Sequence, residues 1–233
     1  YLRALEGAIG AAGPPRVLIC GTADYAMLAR VIAAFRGREI EPAITVLDLC
    51  ETPLMLNRWY AGRVSCQLET VRHDVLEYPE SGAFDAICTD ALIGRFPPER
   101  RPALAAVLRT LLRPGGLLIT MCRLRPGSAG ARVEFSPEQA LTLRAAALRA
   151  AIEARHLLPV EPEALALQVD HYARTHYTYA VGTPDELRGP LERAGLRVEH
   201  LSAAPMIPDE VHGVSGPSIR KTGDYAGIVA RRP

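Results

Sequence analysis

The chain has 233 residues, a formal net charge of +1, 48% hydrophobic and 23% charged residues, so it can bury a full core without disulfides or metal. Its 27 basic and 26 acidic residues exclude the basic excess of a general nucleic-acid binder, and no apolar run reaches the roughly 18 residues of a membrane span. No signal peptide is read at the start, and because the first residue is Tyr1 rather than Met the true start is expected to be trimmed away; the expectation is one cytoplasmic domain over 1–233.

In chain order, the run Arg16-Val-Leu-Ile-Cys20, bounded by Gly13-Pro-Pro15 and Gly21, predicts a first strand. Helical spacing follows over 26–35, with Met27, Val31 and Ala34 on one face. The pattern repeats: a strand over 43–48 and a helix over 53–61, then a third strand over 68–75, less apolar and so placed nearer an edge. A fourth strand over 84–89 precedes a helix over 98–112 with Leu104, Leu108 and Leu111 on one stripe. Arg113-Pro-Gly-Gly116 breaks that helix, and Leu117 to Cys122 is a fifth strand. Apolar strands alternating with helices predict a parallel sheet covered on both faces.

The rhythm then changes. Ser136-Pro-Glu-Gln139 is a helix start with a capping box, continued by Leu141, Ala145, Leu148 and Ile152 and ended by Pro159. A second helix is expected over 163–174, so 126–176 reads as a helical cap or lid. Alternation resumes at Tyr177-Thr-Tyr-Ala-Val181, and Thr183-Pro-Asp-Glu186 opens another helix by a capping box. Gly195 is its stop, and Pro190 should kink it. Strands over 196–201 and 225–230 close the chain, joined by a long Pro/Gly-rich connection over 203–223 of a kind often functional. The fold class is α/β: a three-layer Rossmann-like sheet of about seven strands, the last antiparallel, with a helical lid insertion.

Cys20, Cys50, Cys66, Cys88 and Cys122 form no CxxC or Cys/His ligand spacing, so they read as small hydrophobes and no metal site is expected. Only Lys221 is lysine, leaving 26 arginines; this reads as the coding bias of a GC-rich bacterial genome.

In an open parallel sheet, ligands bind at the carboxyl ends of the strands, beside the switch point. Those ends carry Gly21-Thr-Ala-Asp-Tyr25, then Asp48, then Asp74-Val75-Leu76, then Thr89-Asp90. Small residues let backbone N–H groups approach a ligand at a helix N-terminus; a carboxylate at Asp48 can accept ribose hydroxyls, and one at Asp74 beside aliphatics suits adenine.

Together these segments resemble the class I S-adenosylmethionine-dependent methyltransferases. Val17 to Tyr25 resembles their glycine-rich first motif, Val46 to Leu54 the second, whose acid binds ribose, and His73-Asp-Val-Leu76 the adenine motif. The resemblance implies that Gly21, Ala23, Asp24, Tyr25, Asp48, Leu49, Asp74, Val75, Thr89 and Asp90 hold S-adenosyl-L-methionine, with S-adenosyl-L-homocysteine or methylthioadenosine as product. Two departures stand out. Ile19 occupies the position of the family's first acid, and Ala23 and Tyr25 fall on its second and third glycines. Tyr25 is too large for glycine's role, so either the loop is reshaped or the ring turns toward the pocket. Asp24 replaces the missing acid or caps the following helix.

Methyl transfer needs an oriented nucleophile and sometimes a base. The densest cluster is Asp170 to Tyr179, where His171, His176 and Tyr177 are the catalytic candidates and Tyr172 lines the acceptor. Arg123 and Arg125, just past the fifth strand, could hold a substrate carboxylate. The single tryptophan, Trp59, reads as packing. The expected function is methyl transfer to a small-molecule acceptor, a natural product or metabolite, without nucleic acid or membrane as partner and with a homodimer as an option. The alternatives are a cyclase or lyase releasing methylthioadenosine, motivated by Tyr25 near the methionine end, an NAD(P)-dependent oxidoreductase, and a non-catalytic binding protein.

Overall fold

The computed structural model describes Leu5 and residues 14–157, 160–205 and 224–233. Strands β1 (Arg16–Cys20), β2 (Ala43–Asp48), β3 (Leu68–Arg72), β4 (Phe84–Asp90) and β5 (Leu112–Arg123) run parallel, and β8 (Arg197–Pro205) and β9 (Asp224–Arg231) complete a sheet of order β3-β2-β1-β4-β5-β9-β8. β9 is antiparallel to both β5 and β8, as expected for the last strand. β3 is one edge strand of the sheet, and its lack of any fully buried residue fits that place. β1 and β4 adjoin although their connections lead to opposite sides, so the switch point lies between them.

The continuous apolar runs are explained by helices on both faces. Alternate residues of a strand point to opposite faces. Val17, Ile19, Ala86, Cys88, Leu117 and Ile119 pack with helix α1 (Ala26–Arg36) and helix α2 (Glu51–Arg63). Leu18, Cys20, Ile87 and Leu118 pack with helix α3 (Arg101–Leu111) and helix α6 (Pro184–Arg193).

Local differences from the sequence expectation have physical causes. Arg113-Pro-Gly-Gly116 does end α3, but it belongs to β5. Leu112 pairs with Phe84 and Leu117 with Ala86, so the intervening residues bulge from the ladder. Gly115 takes φ +79 there and donates its N–H to the Arg232 carbonyl at 2.8 Å. Tyr177 to Tyr179 does not return to the main sheet. It is β7 (Tyr177–Tyr179), paired antiparallel with the unforeseen β6 (Arg132–Glu134) in a separate two-stranded sheet. β8 extends to Pro205, past the expected end; Pro159 and residues 206–223 of the expected long connection lie outside the described residues.

The segment between β6 and β7 is a hairpin of helices α4 (Pro137–Glu153) and α5 (Pro162–Thr175). Ser136 closes the expected box: its Oγ accepts from the Gln139 N–H at 3.1 Å, and Gln139 Oε1 accepts from the Ser136 N–H at 2.9 Å. The two helices pack together with Ala140, Ala151, Ala166 and Ala173 buried, while Leu141 and Ile152 face outward. At α6 the box is only half formed. Thr183 accepts from the Glu186 N–H, but the Glu186 carboxylate accepts from Gly182 instead. Gly195 takes φ +85 and stops the helix as read, and α6 continues through Pro190 to Arg193.

One buried arginine ties these parts. Arg101, 3% exposed, donates to the carbonyls of Phe96, Tyr179 and Ala180 and lies 3.6 Å from Glu186. It joins the start of α3 to the end of β7 and the start of α6.

Candidate active site

The loop after β1 begins at Gly21, whose φ is +67 and whose N–H bonds the Leu47 carbonyl at 3.3 Å. A Cβ at this position would run into Leu92 Cδ1, so the turn requires glycine on two counts. Thr22 Oγ1 then donates to the Asp24 carbonyl at 2.6 Å, and Asp24 Oδ1 accepts from the Ala26 N–H at 2.7 Å. Asn57, fully buried on α2, clamps the same loop by donating to the carbonyls of Asp24 and Pro53. Asn57 was not among the residues the sequence singled out. Its partners are main-chain atoms, which leave no pattern to read.

Tyr25 resolves the question of the third glycine. Its ring stacks on Tyr60 at 4.8 Å and 10° and lies 5.6 Å from Trp59, so it packs on α2. Trp59 packs likewise, between Tyr25 and the Arg63 guanidinium. Ala23 is exposed in the turn.

Asp48 and Asp74 end adjacent strands. The His73 N–H donates to the Asp48 carbonyl at 3.2 Å and holds the two ends together. Asp48 Oδ1 accepts from the Cys50 N–H at 2.7 Å. Burial pushes the Asp48 carboxyl up from the ordinary range, opposed by that hydrogen bond and by the charge of Arg95. Leu49 beside it is 63% exposed. Asp74 Oδ1 accepts from the Leu76 N–H at 2.9 Å, with Val75 buried behind it, and the His73 ring bonds the Asp74 carbonyl at 2.9 Å.

At the end of β4 the two candidates part. Thr89 is 2% exposed and bonds Thr120 Oγ1 at 2.7 Å. It lines a small, mainly apolar cavity of about 20 Å³ with Leu92, Ile93 and Leu104, room for roughly one water and no cofactor. Asp90 reaches the rim, where its surroundings and the like charge of Asp24 raise its carboxyl and Arg30 opposes them. Ala91 then takes φ +54, a left-handed conformation costing a non-glycine residue about 1–2 kcal/mol. That turn leads through Leu92–Arg95 to Arg95.

Arg95 was not foreseen, nor was Phe135. The Arg95 guanidinium bonds the Tyr177 carbonyl and lies 5.6 Å from the Tyr177 ring. Its charge reaches Asp48, Tyr172 and His176, so it links the strand ends to the α5–β7 segment. The rings of Tyr172 and His176 are 4.7 Å apart, and Phe135 stands 6.1 and 6.3 Å from them. Burial, then the Arg95 charge, pushes His176 down to about 4, so its imidazole is neutral at pH 7. His171 stays exposed, with no ring contact among the described residues. Tyr177 lies under two guanidiniums, Arg95 and, at 4.0 Å, Arg132. Arg123 closes β5 rather than following it, and Arg125 lies two residues beyond; both are half-buried, and burial and the charge of Arg123 hold Arg125 below the usual arginine range.

All five cysteines are free. Burial raises the thiols of Cys20, Cys88 and Cys122, the last two to about 12, so they are inert packing groups.

No protein-family model matches the chain, and no curated protein matches it significantly. Solved structures do. The 1,6-didemethyltoxoflavin N1-methyltransferase of Burkholderia thailandensis, solved with its substrate and S-adenosylhomocysteine, is similar at 17% identity and a TM-score of 0.57, over 94% of this chain and 72% of that one. A SAM-dependent methyltransferase of Methanosarcina mazei is similar at 13% identity and 0.59, over 95% and 94%. So is the cyclase SpnF, at 13% identity and 0.59, over 99% and 78%. The fold is that of class I S-adenosylmethionine-dependent methyltransferases. Within this methyltransferase fold, the Gly21 turn and the carboxylates of Asp48 and Asp74 stand at the strand ends beside the switch point. No helix among the described residues is long and apolar enough to cross a membrane.

Proposed function

We propose that the chain is an S-adenosylmethionine-dependent methyltransferase acting on a small molecule. The observation that carries this reading is the joined end of β1, β2 and β3: a left-handed Gly21 beneath the first helix, with Asp48 and Asp74 at neighbouring strand ends that the His73 N–H joins through the Asp48 carbonyl.

These residues fit the cofactor's chemistry. Asp48 would accept from ribose hydroxyls, exposed Leu49 and buried Val75 would cover an adenine ring, and Asp74 would accept from its amino group. Asp24 and Asp90 would receive the cofactor's ammonium. The cofactor supplies an electrophilic methyl group. The protein's part is to orient the acceptor; His176, pushed down to about 4, is too weak a base to hold a proton at pH 7 and would serve as a neutral ring wall. The balanced charge supports a small acceptor over nucleic acid. With its ring packed on Tyr60, Tyr25 no longer argues for turning the cofactor on itself.

The test is a thermal-shift series with S-adenosylmethionine, S-adenosylhomocysteine and NAD. At about a hundredfold excess over Kd a ligand stabilises by about 2.7 kcal/mol, so the first two should raise Tm by about 5–10 °C and NAD should not. A shift with NAD alone would replace the reading with an oxidoreductase. Methylthioadenosine released from S-adenosylmethionine without an acceptor would replace methyl transfer with cyclase or lyase chemistry.

A further inference from the structure

The lid-side cluster has a chemical character of its own. Three rings, Phe135, Tyr172 and His176, stand within 6.3 Å of one another in pairs. They are not core: Tyr172 is 40% exposed and the other two are half-buried. Partly exposed rings tilted 36–63° to one another form an apolar niche whose faces and edges can contact a planar ligand.

Arg95 supplies the second element. It is exposed and fixed by the Tyr177 carbonyl and the Tyr177 ring. Among the described residues no carboxylate forms an ion pair with it, whereas Arg58, Arg113 and Arg174 pair with Glu51, Asp85 and Asp170. A positioned guanidinium with spare N–H groups beside rings recognises a planar oxyanion. His176 does not duplicate that charge, because burial and Arg95 keep it neutral.

We propose that Phe135, Tyr172, His176 and Arg95 form an acceptor subsite for a planar ring bearing an oxyanion, with the ring against the aromatic side chains and the oxyanion on Arg95. The inference rests on the methyl-transfer reading for its purpose, but its binding chemistry can be measured separately.

The experiment titrates three ring probes, 4-hydroxybenzoate, 4-hydroxybenzamide and tyramine, into the full chain saturated with S-adenosylhomocysteine, followed by ligand-observed NMR. The anion should bind at least tenfold tighter than the neutral amide, with the cationic amine weakest. Arg95→Met should abolish that preference and Arg95→Lys restore part of it, both compared with S-adenosylhomocysteine re-saturated for each variant. Tyr172→Ala should weaken all three probes while keeping their order. Equal binding of the three probes, a preference that survives Arg95→Met, or no ring binding at millimolar concentration overturns the inference. If S-adenosylhomocysteine itself does not bind, the cofactor reading falls, and the same titration on the unliganded chain still decides this one.

Discussion

The strand-end side of the site and the lid side are built by different means. At the strand ends, main-chain hydrogen bonds set the positions: Gly21 to Leu47, His73 to Asp48 and Ala91 to Met121. Asp24, Asp48 and Asp74 each bond a backbone N–H nearby. On the lid side, side chains set them. The rings of Tyr172, His176 and Phe135 lean on one another, Arg95 reaches across to the Tyr177 carbonyl, and Arg101 fastens the end of β7 to α3. The helices behind that cluster bury alanines, which contribute little apolar area each. The first side should therefore be rigid and intolerant, and the second adjustable.

The largest effect should come from Gly21→Val. A β-branched residue would take an unfavourable left-handed conformation, about 1–2 kcal/mol, and its Cβ would collide with Leu92. Urea denaturation should show a loss of about 2–3 kcal/mol, and S-adenosylhomocysteine binding should disappear. Adding Leu92→Ala removes the collision but empties a buried position, so the double variant should be no more stable than Gly21→Val alone. Wild-type stability in Gly21→Val would show that the loop re-forms freely and would erase the contrast between the two sides.

Next comes Asp48→Asn, which keeps an oxygen for the Cys50 N–H but removes the charge that would receive ribose. Calorimetry should show S-adenosylhomocysteine affinity falling about 10- to 100-fold, the size expected for charged hydrogen bonds, with Tm of the unliganded chain nearly unchanged. Asp24→Ala should weaken binding about tenfold or more. Because Asp24 also bonds the Ala26 N–H, Asp24→Asn separates its two roles. Unchanged affinity in Asp24→Asn would assign Asp24 to the helix start alone.

The same contrast explains what the sequence revealed. Apolar runs at strand spacing, with Gly21, Asp48 and Asp74 at their ends, disclosed the sheet and its carboxyl edge because periodicity and backbone conformation restrict residue choice directly. Thr89 looked equal to Asp90, yet one residue along a strand turns a side chain to the other face. The lid side gave less. His176 and Tyr172 were found because histidine and tyrosine are conspicuous, but His171 was equally so and stays outside the cluster. Arg95 was hidden among 26 arginines, and Phe135 precedes a capping box with no periodic pattern around it. Tyr177 appeared to re-enter the sheet because a three-residue strand reads the same whichever partner it finds, and β6 was too short to announce itself.

The smallest effect concerns His176, and it probes how enclosed the adjustable side is. Its folded pKa lies near 4, below the ordinary histidine value of 6.5, chiefly through burial and secondly through Arg95. Between pH 6.5 and 4 the unfolded chain therefore binds a proton that the folded chain does not. Stability contributed by neutral His176 is present above pH 6.5 and is lost as pH falls toward 4. Other groups titrate in that window, so the comparison is with His176→Gln, whose stability should fall less steeply there. By NMR the His176 ring should titrate near 4, and Arg95→Met should raise that midpoint only part of the way toward 6.5, because burial is the larger cause. A wild-type midpoint near 6.5 would mean that water reaches the imidazole freely, and the aromatic wall beside Arg95 would then be open surface instead of a shaped subsite.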